Sequence, residues 1–415
     1  EDFAQGTEGT AVAFAERFAE LSYRDANWNL RAQVQNFQVL DAALAREDRP
    51  YTRAPRIVAG ADFALPRWPS FTYGFDSEIV NFRRNTGVTG WRADAAPRVG
   101  FDWSGAGYFV RPTVGYRYTA YSLDDVAPGV NDSPDRSLPF TTVDAGVVLE
   151  RPSGKRGQRR LTLEPRALYL YTPFREQNDL PVFDTTVPDL NTVQLFRLSR
   201  YVGADRVSDA NQLSVGVTSR LLDSASGAQY VALTVGQAVY FEQPRVALPN
   251  ETTVNRDRSD FIAQLALTAY KNWNIEAGLQ YNTEEPRSER TQFAVQYRPG
   301  NDRVVNLAYR SQYQRLEQAE ASAAWPVSRR WSVFGRAVYS LRDEEALEQF
   351  AGFEYRACCW SLRTVARRFI SSRTGDEDTG VYLQLELNGL ASVGNPAGAF
   401  LASSIRGYSP DTRRR

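Results

Sequence analysis

Long stretches of this chain alternate apolar and polar residues with a period of two, and no other feature limits its fold so tightly. In "NWNIEAGLQY", Trp273, Ile275, Ala277, Leu279 and Tyr281 share one face, and Asn274, Glu276 and Gln280 share the other. "WSVFGRAVYSL" sets Trp331, Val333, Ala337, Tyr339 and Leu341 against Ser332, Arg336 and Ser340. "GVYLQLEL" sets Val381, Leu383, Leu385 and Leu387 against Gln384 and Glu386. Successive side chains of a strand point to opposite faces, so this pattern predicts strands with one apolar and one wet face. The runs last about 10–13 residues, whereas strands of globular proteins are usually nearer 5–6. A length near 10 with Tyr or Trp at the ends fits a transmembrane β-barrel, and a soluble sandwich or propeller would use shorter strands.

Composition agrees with that fold. Charged residues make up 24% of the chain and the formal net charge is +0. No apolar run approaches the roughly 18 residues of a membrane-spanning helix. The mean hydropathy of −0.45 is what alternating strands average to. There is no His, which excludes Ser–His and Cys–His nucleophiles and ordinary zinc sites. No nucleotide-binding motif is present, and we expect no catalysis, no cofactor, no metal and no nucleic-acid partner. Apart from Lys155 and Lys271 every side-chain cation is arginine, which reads as genomic base composition.

The connections alternate between two kinds. Short turns fall at "RDAN", "WSGAGY", "LDSASGAQ", "YKNW", "RPGND" and "PVSRR". Longer ones fall between them, at 41–53, 124–137, 174–209 and 243–257. Outer-membrane barrels have short periplasmic turns and longer external loops. The predicted fold is therefore all-β, an antiparallel transmembrane barrel, with about nineteen strands between residues 12 and 388. Single-chain bacterial barrels have an even strand number, so an odd count leads us to expect further strands upstream. The expected division is a barrel region over 1–388, incomplete at its start, and a periplasmic tail over 389–415. Pro97, Pro112 and Pro165 interrupt alternating runs, at bulges or at positions that need no N–H. A turn centred on Ser104–Gly105 would set Pro97 opposite Pro112.

Several stretches are more specific than alternation. "LFRLSRYVGADRVSDANQLSVGVTSRLLD" at 195–223, "LEPRALYLYTPFREQNDLPVFD" at 163–184, "YFE" at 240–242 and "YRACCW" at 355–360 resemble the lipopolysaccharide-assembly outer-membrane family, LptD, in the family's order. The resemblance implies a barrel of about 26 strands with an N-terminal periplasmic jellyroll, which this sequence lacks together with the first strands. It implies a transporter for lipopolysaccharide, with an LptE-type lipoprotein inside the barrel. It also implies a periplasmic bridge protein that reaches the N-terminal domain, and a lateral gate between first and last strands. Of that gate, only the last strand is present: Gly380, Val381, Tyr382, Leu383, Gln384, Leu385, Glu386 and Leu387. The same strand, in "DTGVYLQLELN", resembles the terminal signal read by outer-membrane assembly machinery.

The alternation places Arg310, Arg336, Glu348, Glu354, Arg363 and Arg367 on the wet face. There they could accommodate sugar and phosphate or form an ordinary solvated lining. Gly203, Asp205, Arg206, Asp209 and Asn211 cluster before a strand. They could order a long loop or touch lipopolysaccharide. Cys358 and Cys359 are the chain's 2 cysteines, at a short turn between strands 346–356 and 359–370. A bond between adjacent residues would be strained, because their Cα atoms lie about 3.8 Å apart, below the usual range of about 4.4–6.8 Å. Reduced core filler is the other reading of the residues alone. The resemblance implies disulfides to cysteines in and before the N-terminal domain. A passive porin or adhesin barrel is the alternative function.

Overall fold

The computed structural model describes residues 14–39, 45–249, 251, 256–270, 272–370, 377–387 and 390–409. The first 13 residues of the expected barrel region, its last residue 388, and residues 389 and 410–415 of the expected tail lie outside the described residues.

Among the described residues, alternation is realised as one antiparallel sheet of 22 strands. Each strand pairs with its neighbour in sequence, from Phe14–Arg24 against Trp28–Val39 through to Trp360–Ile370 against Glu377–Leu387. Trp103–Gly105 continues Thr89–Phe101 after one residue, and Leu149–Ser153 continues Asp135–Val147 in the same way. Counting these as continuations, and setting aside the four-residue strand Ala391–Gly394, leaves nineteen long strands of the 22. No described helix is long and apolar enough to cross a membrane, which leaves strand crossing open.

The two faces differ as the alternation requires. Val305, Leu307, Val333, Tyr339, Phe353, Val381, Leu383 and Leu385 stand on one face and are exposed. So many exposed apolar side chains in one belt need an apolar solvent. Aromatics gather where this face meets the short turns. Trp273 and Tyr297 lie 4.7 Å apart, Trp331 and Tyr355 4.9 Å, and Tyr355 and Trp360 5.4 Å. The opposite face is polar and carries the long connections.

One register differs from expectation. Gly105 pairs with Tyr108, so the turn closes at Ala106–Gly107 and not at Ser104–Gly105. Pro97 and Pro112 are therefore not opposite each other, and each is paired on its other side, Pro97 with Phe75 and Pro112 with Val143. The ladder to the following strand skips Ala96 and Pro97, passing from Ala95↔Tyr118 to Arg98↔Gly115. Proline has no N–H to give. At Pro165 the pairing also lapses, between Arg166↔Gly146 and Leu163↔Leu149.

Candidate functional site

The polar face is covered by two segments that enter from opposite ends of the sheet. The first is the connection 173–209, on the long-loop side. Arg92, on the strand Thr89–Phe101, is 1% exposed at its side chain and gathers three carboxylates. It donates to Glu78 at 2.6 Å, Asp184 at 2.7 Å and Asp205 at 2.5 Å. A buried guanidinium needs such partners, since desolvating an unpaired charge costs several kcal/mol. Arg136 adds donations to the carbonyls of Ala204 and Asp205, to Gln177 and to Thr119. Asp205 also accepts from the backbone N–H groups of Phe183 and Asp184. Burial would push its carboxyl up, but Arg92 and those N–H groups outweigh burial and hold it below the ordinary carboxylate value. Asp184 is pushed the other way, chiefly by burial. Beneath the ion network Phe183 stacks on Phe82 at 4.4 Å, with Leu180, Val80 and Tyr121 around them.

The expected loop cluster therefore divides. Asp205 and Arg206 bind the segment 180–185, Arg206 through the carbonyls of Leu180 and Pro181. Gly203 has φ +93°, and a Cβ there would meet Thr185 and Asp184 within 3 Å, so only glycine suits the turn. Asp209 instead accepts from the N–H groups of Arg245 and Val246 in the next loop. Asn211 has already entered the strand Ala210–Asp223, where it links Tyr169 and Glu242. These residues form ordering contacts in three places, and they do not converge on one pocket.

The second segment is the tail. The helix Ala397–Ser404 and the residues after it lie on strands 303–387. Val304, Ala324, Phe334, Gly352, Val365 and Tyr382 form one cross-strand row on the polar face. This row, with Phe350, receives Leu401, Ile405 and Tyr408. Phe400 stacks on Tyr382 at 4.8 Å. Gln296 and Asn306 donate to the carbonyl of Arg406. The seat went unread in the sequence, although Phe334 and Phe350 break the polar register of their strands and were its visible signal.

The predicted wet-face residues all stand on the polar face. Around the tail they pair with one another. Arg336 and Arg367 each reach Glu348 at 2.7 Å, and Arg363 reaches Glu354 at 3.1 Å and Glu386 at 2.6 Å. Arg310 lies apart, beside Gln318. With Asn191, Gln264, Glu276 and Arg290 it lines a cavity of about 440 Å³ beside the loop residues 189–191. Its arginine, carboxylate and amide groups, set among apolar side chains, offer partners to water and hydroxyls.

Cys358 and Cys359 occupy the turn between Glu345–Arg356 and Trp360–Ile370, at the short-turn end. Both are exposed, with their sulfurs 2.8 Å apart. Contact with Cys358 pushes the Cys359 thiol up.

A model of the family described as LPS transport system D, LptD, matches residues 1–331. The LPS-assembly protein LptD of Nitrosococcus oceani is 34% identical over 98% of this chain and 56% of its own length. The one from Aromatoleum aromaticum is 37% identical over 94% of this chain and 49% of its own length. Among solved structures, the siderophore receptor PirA from Acinetobacter baumannii covers 97% of this chain and 77% of its own, at 8% identity and a TM-score of 0.38. The chain spans about half the length of the curated relatives it matches. On this sequence similarity, the chain belongs to the LptD family.

Proposed function

We propose that this chain supplies wall and lining of an outer-membrane translocon that inserts lipopolysaccharide into the outer leaflet. The observation that carries the reading is family membership joined to the two-faced sheet. One face is an apolar, aromatic-edged belt fit for lipid, and the other is a polar lining of paired ions with a cavity beside Arg310. The mechanism is geometric. Sugar and phosphate travel along the polar face while acyl chains stay with the membrane. The lipid leaves sideways at a gate between the first strand of the whole barrel and the last strand, Gly380 to Leu387. Unpaired backbone in hydrocarbon is costly, so such a gap must close again.

In this reading an LptE-type lipoprotein shares the lumen, a periplasmic bridge delivers the lipid, and assembly machinery reads the last strand. The short turns are periplasmic, and the tail enters from that end to lie on the polar face. Cys358 and Cys359 form disulfides with cysteines upstream. Their exposure at a turn, in a compartment that favours oxidation, supports the pairing. Replacing both by Ser in the full-length protein should change its mobility on a non-reducing gel, and unchanged mobility would contradict it.

Depleting the full-length protein and measuring lipopolysaccharide at the cell surface tests the function. The surface pool should fall. An unchanged pool with reduced uptake of small solutes would point to a passive pore.

A further inference from the structure

The outer edge of the last strand is divided, and the chain itself occupies half of it. Ala391–Gly394 turns back and pairs with Gln384–Leu387. Leu390 donates to the Leu387 carbonyl at 3.0 Å, and Asn395 donates to the Leu383 carbonyl at 2.9 Å. In a strand, the N–H and C=O of alternate residues point to the same side. Leu383, Leu385 and Leu387 therefore spend their edge groups on the tail. The same edge presents Glu377, Thr379 and Val381, which pair with no further strand among the described residues.

The tail is fixed in this place. Gly394 has φ +104°, and a Cβ there would come within 2.1 Å of the Leu383 carbonyl. Only glycine lets the chain leave the edge here and cross to the polar face. Gly398 then donates to the Gln384 side chain at 2.8 Å, and Ala397, Leu401 and Ile405 are fully buried. Val393 stands beside Leu385 and is exposed, so the short strand prolongs the apolar face.

We propose that the tail acts as a fixed spacer on this edge. It confines pairing with any neighbouring strand to Glu377–Tyr382 and removes Leu383–Leu387 from the contact. The occupant of the free part is a β-strand from the longer protein, because an unpaired row of N–H and C=O groups is a template for a strand, and exposed Val381 sets part of that row in the apolar belt. The lower part of that neighbour faces the Ala391–Gly394 strand instead. Combined with the transport reading, a seam that parts would part beside Glu377–Tyr382. The division itself depends only on the sheet edge, and it stands or falls apart from what is transported.

The test uses full-length protein in its membrane, with a photo-crosslinking residue placed at Leu385 or at Val381. Adducts from position 385 should map to a peptide containing 391–395. Adducts from position 381 should map to another strand and contain no tail peptide. Gly394→Val should abolish the tail adduct from position 385. Adducts from 385 that reach a different strand in place of the tail would overturn the proposal. A second measurement avoids the bulky probe. Glu386 and Ser392 are direct partners, so Glu386→Cys with Ser392→Cys should yield a mapped intrachain disulfide. Its absence from a barrel of normal heat-modifiable mobility would overturn the proposal as well.

Discussion

The connection 173–209 and the tail 390–409 lie on the same face of one sheet, enter from opposite ends, and are held by different forces. The connection is keyed by buried charge. Arg92 and Arg136 reach from the strands to Asp184, Asp205 and backbone carbonyls of the loop. The tail is keyed by apolar packing of Leu401, Ile405 and Tyr408 on a row of side chains, with few polar anchors. A buried ion network fails if one member is removed, because the others keep their desolvation cost. An apolar contact loses stability in proportion to the atoms removed and the cavity left behind. The two coverings should therefore respond differently to the same kinds of insult.

The largest expected effect is on the connection. Arg92→Ala leaves Glu78, Asp184 and Asp205 without their shared cation, at a cost of about 3–5 kcal/mol. Hydrogen exchange of peptides spanning 177–185 should accelerate sharply, while the 397–404 peptide stays protected. Equal loss in both would mean that the two coverings are one unit. Leu401→Ala should act on the tail alone, by about 2–5 kcal/mol. It should speed exchange of 397–404 and spare 177–185.

Acid should separate the two further. The Asp205 carboxyl lies below its ordinary value in the folded protein. Its contribution is thus present above the unfolded value of about 3.9 and is lost as pH falls through the lower folded value. Exchange corrected for intrinsic rate should show the 177–185 segment loosening in that range. The apolar tail helix should keep its protection there. The smallest effect is expected for Asp209→Asn. It weakens the bonds from the Arg245 and Val246 N–H groups by about 1 kcal/mol and should loosen only the 243–249 loop.

The wall was legible because alternation is a local property. Each strand carries its own two faces, and nineteen long strands follow the pattern read from the residues. The alternation of long loops and short turns was legible for the same reason. What covers the polar face was not. Arg92 stands 113 residues from Asp205, and no periodicity links them. The destination of the tail was not legible, because its seat is assembled from single side chains on six strands. Turn geometry was legible only to within a residue or two. That was enough to set Pro97 against the wrong partner, since each residue of slip at a turn moves the whole register. The loop residues stand out in the sequence by type alone. Their three separate destinations depend on tertiary contacts.

The central claim is that lipopolysaccharide moves along the polar face. The most direct measurement places photo-crosslinking residues in the full-length protein in living cells. Gln292 and Gln318 sample the polar face, in register with Arg310, and Leu307 samples the exposed apolar face. The account predicts lipopolysaccharide adducts through the sugar at positions 292 and 318. Adducts at 307 alone, with none from the polar face, would contradict it.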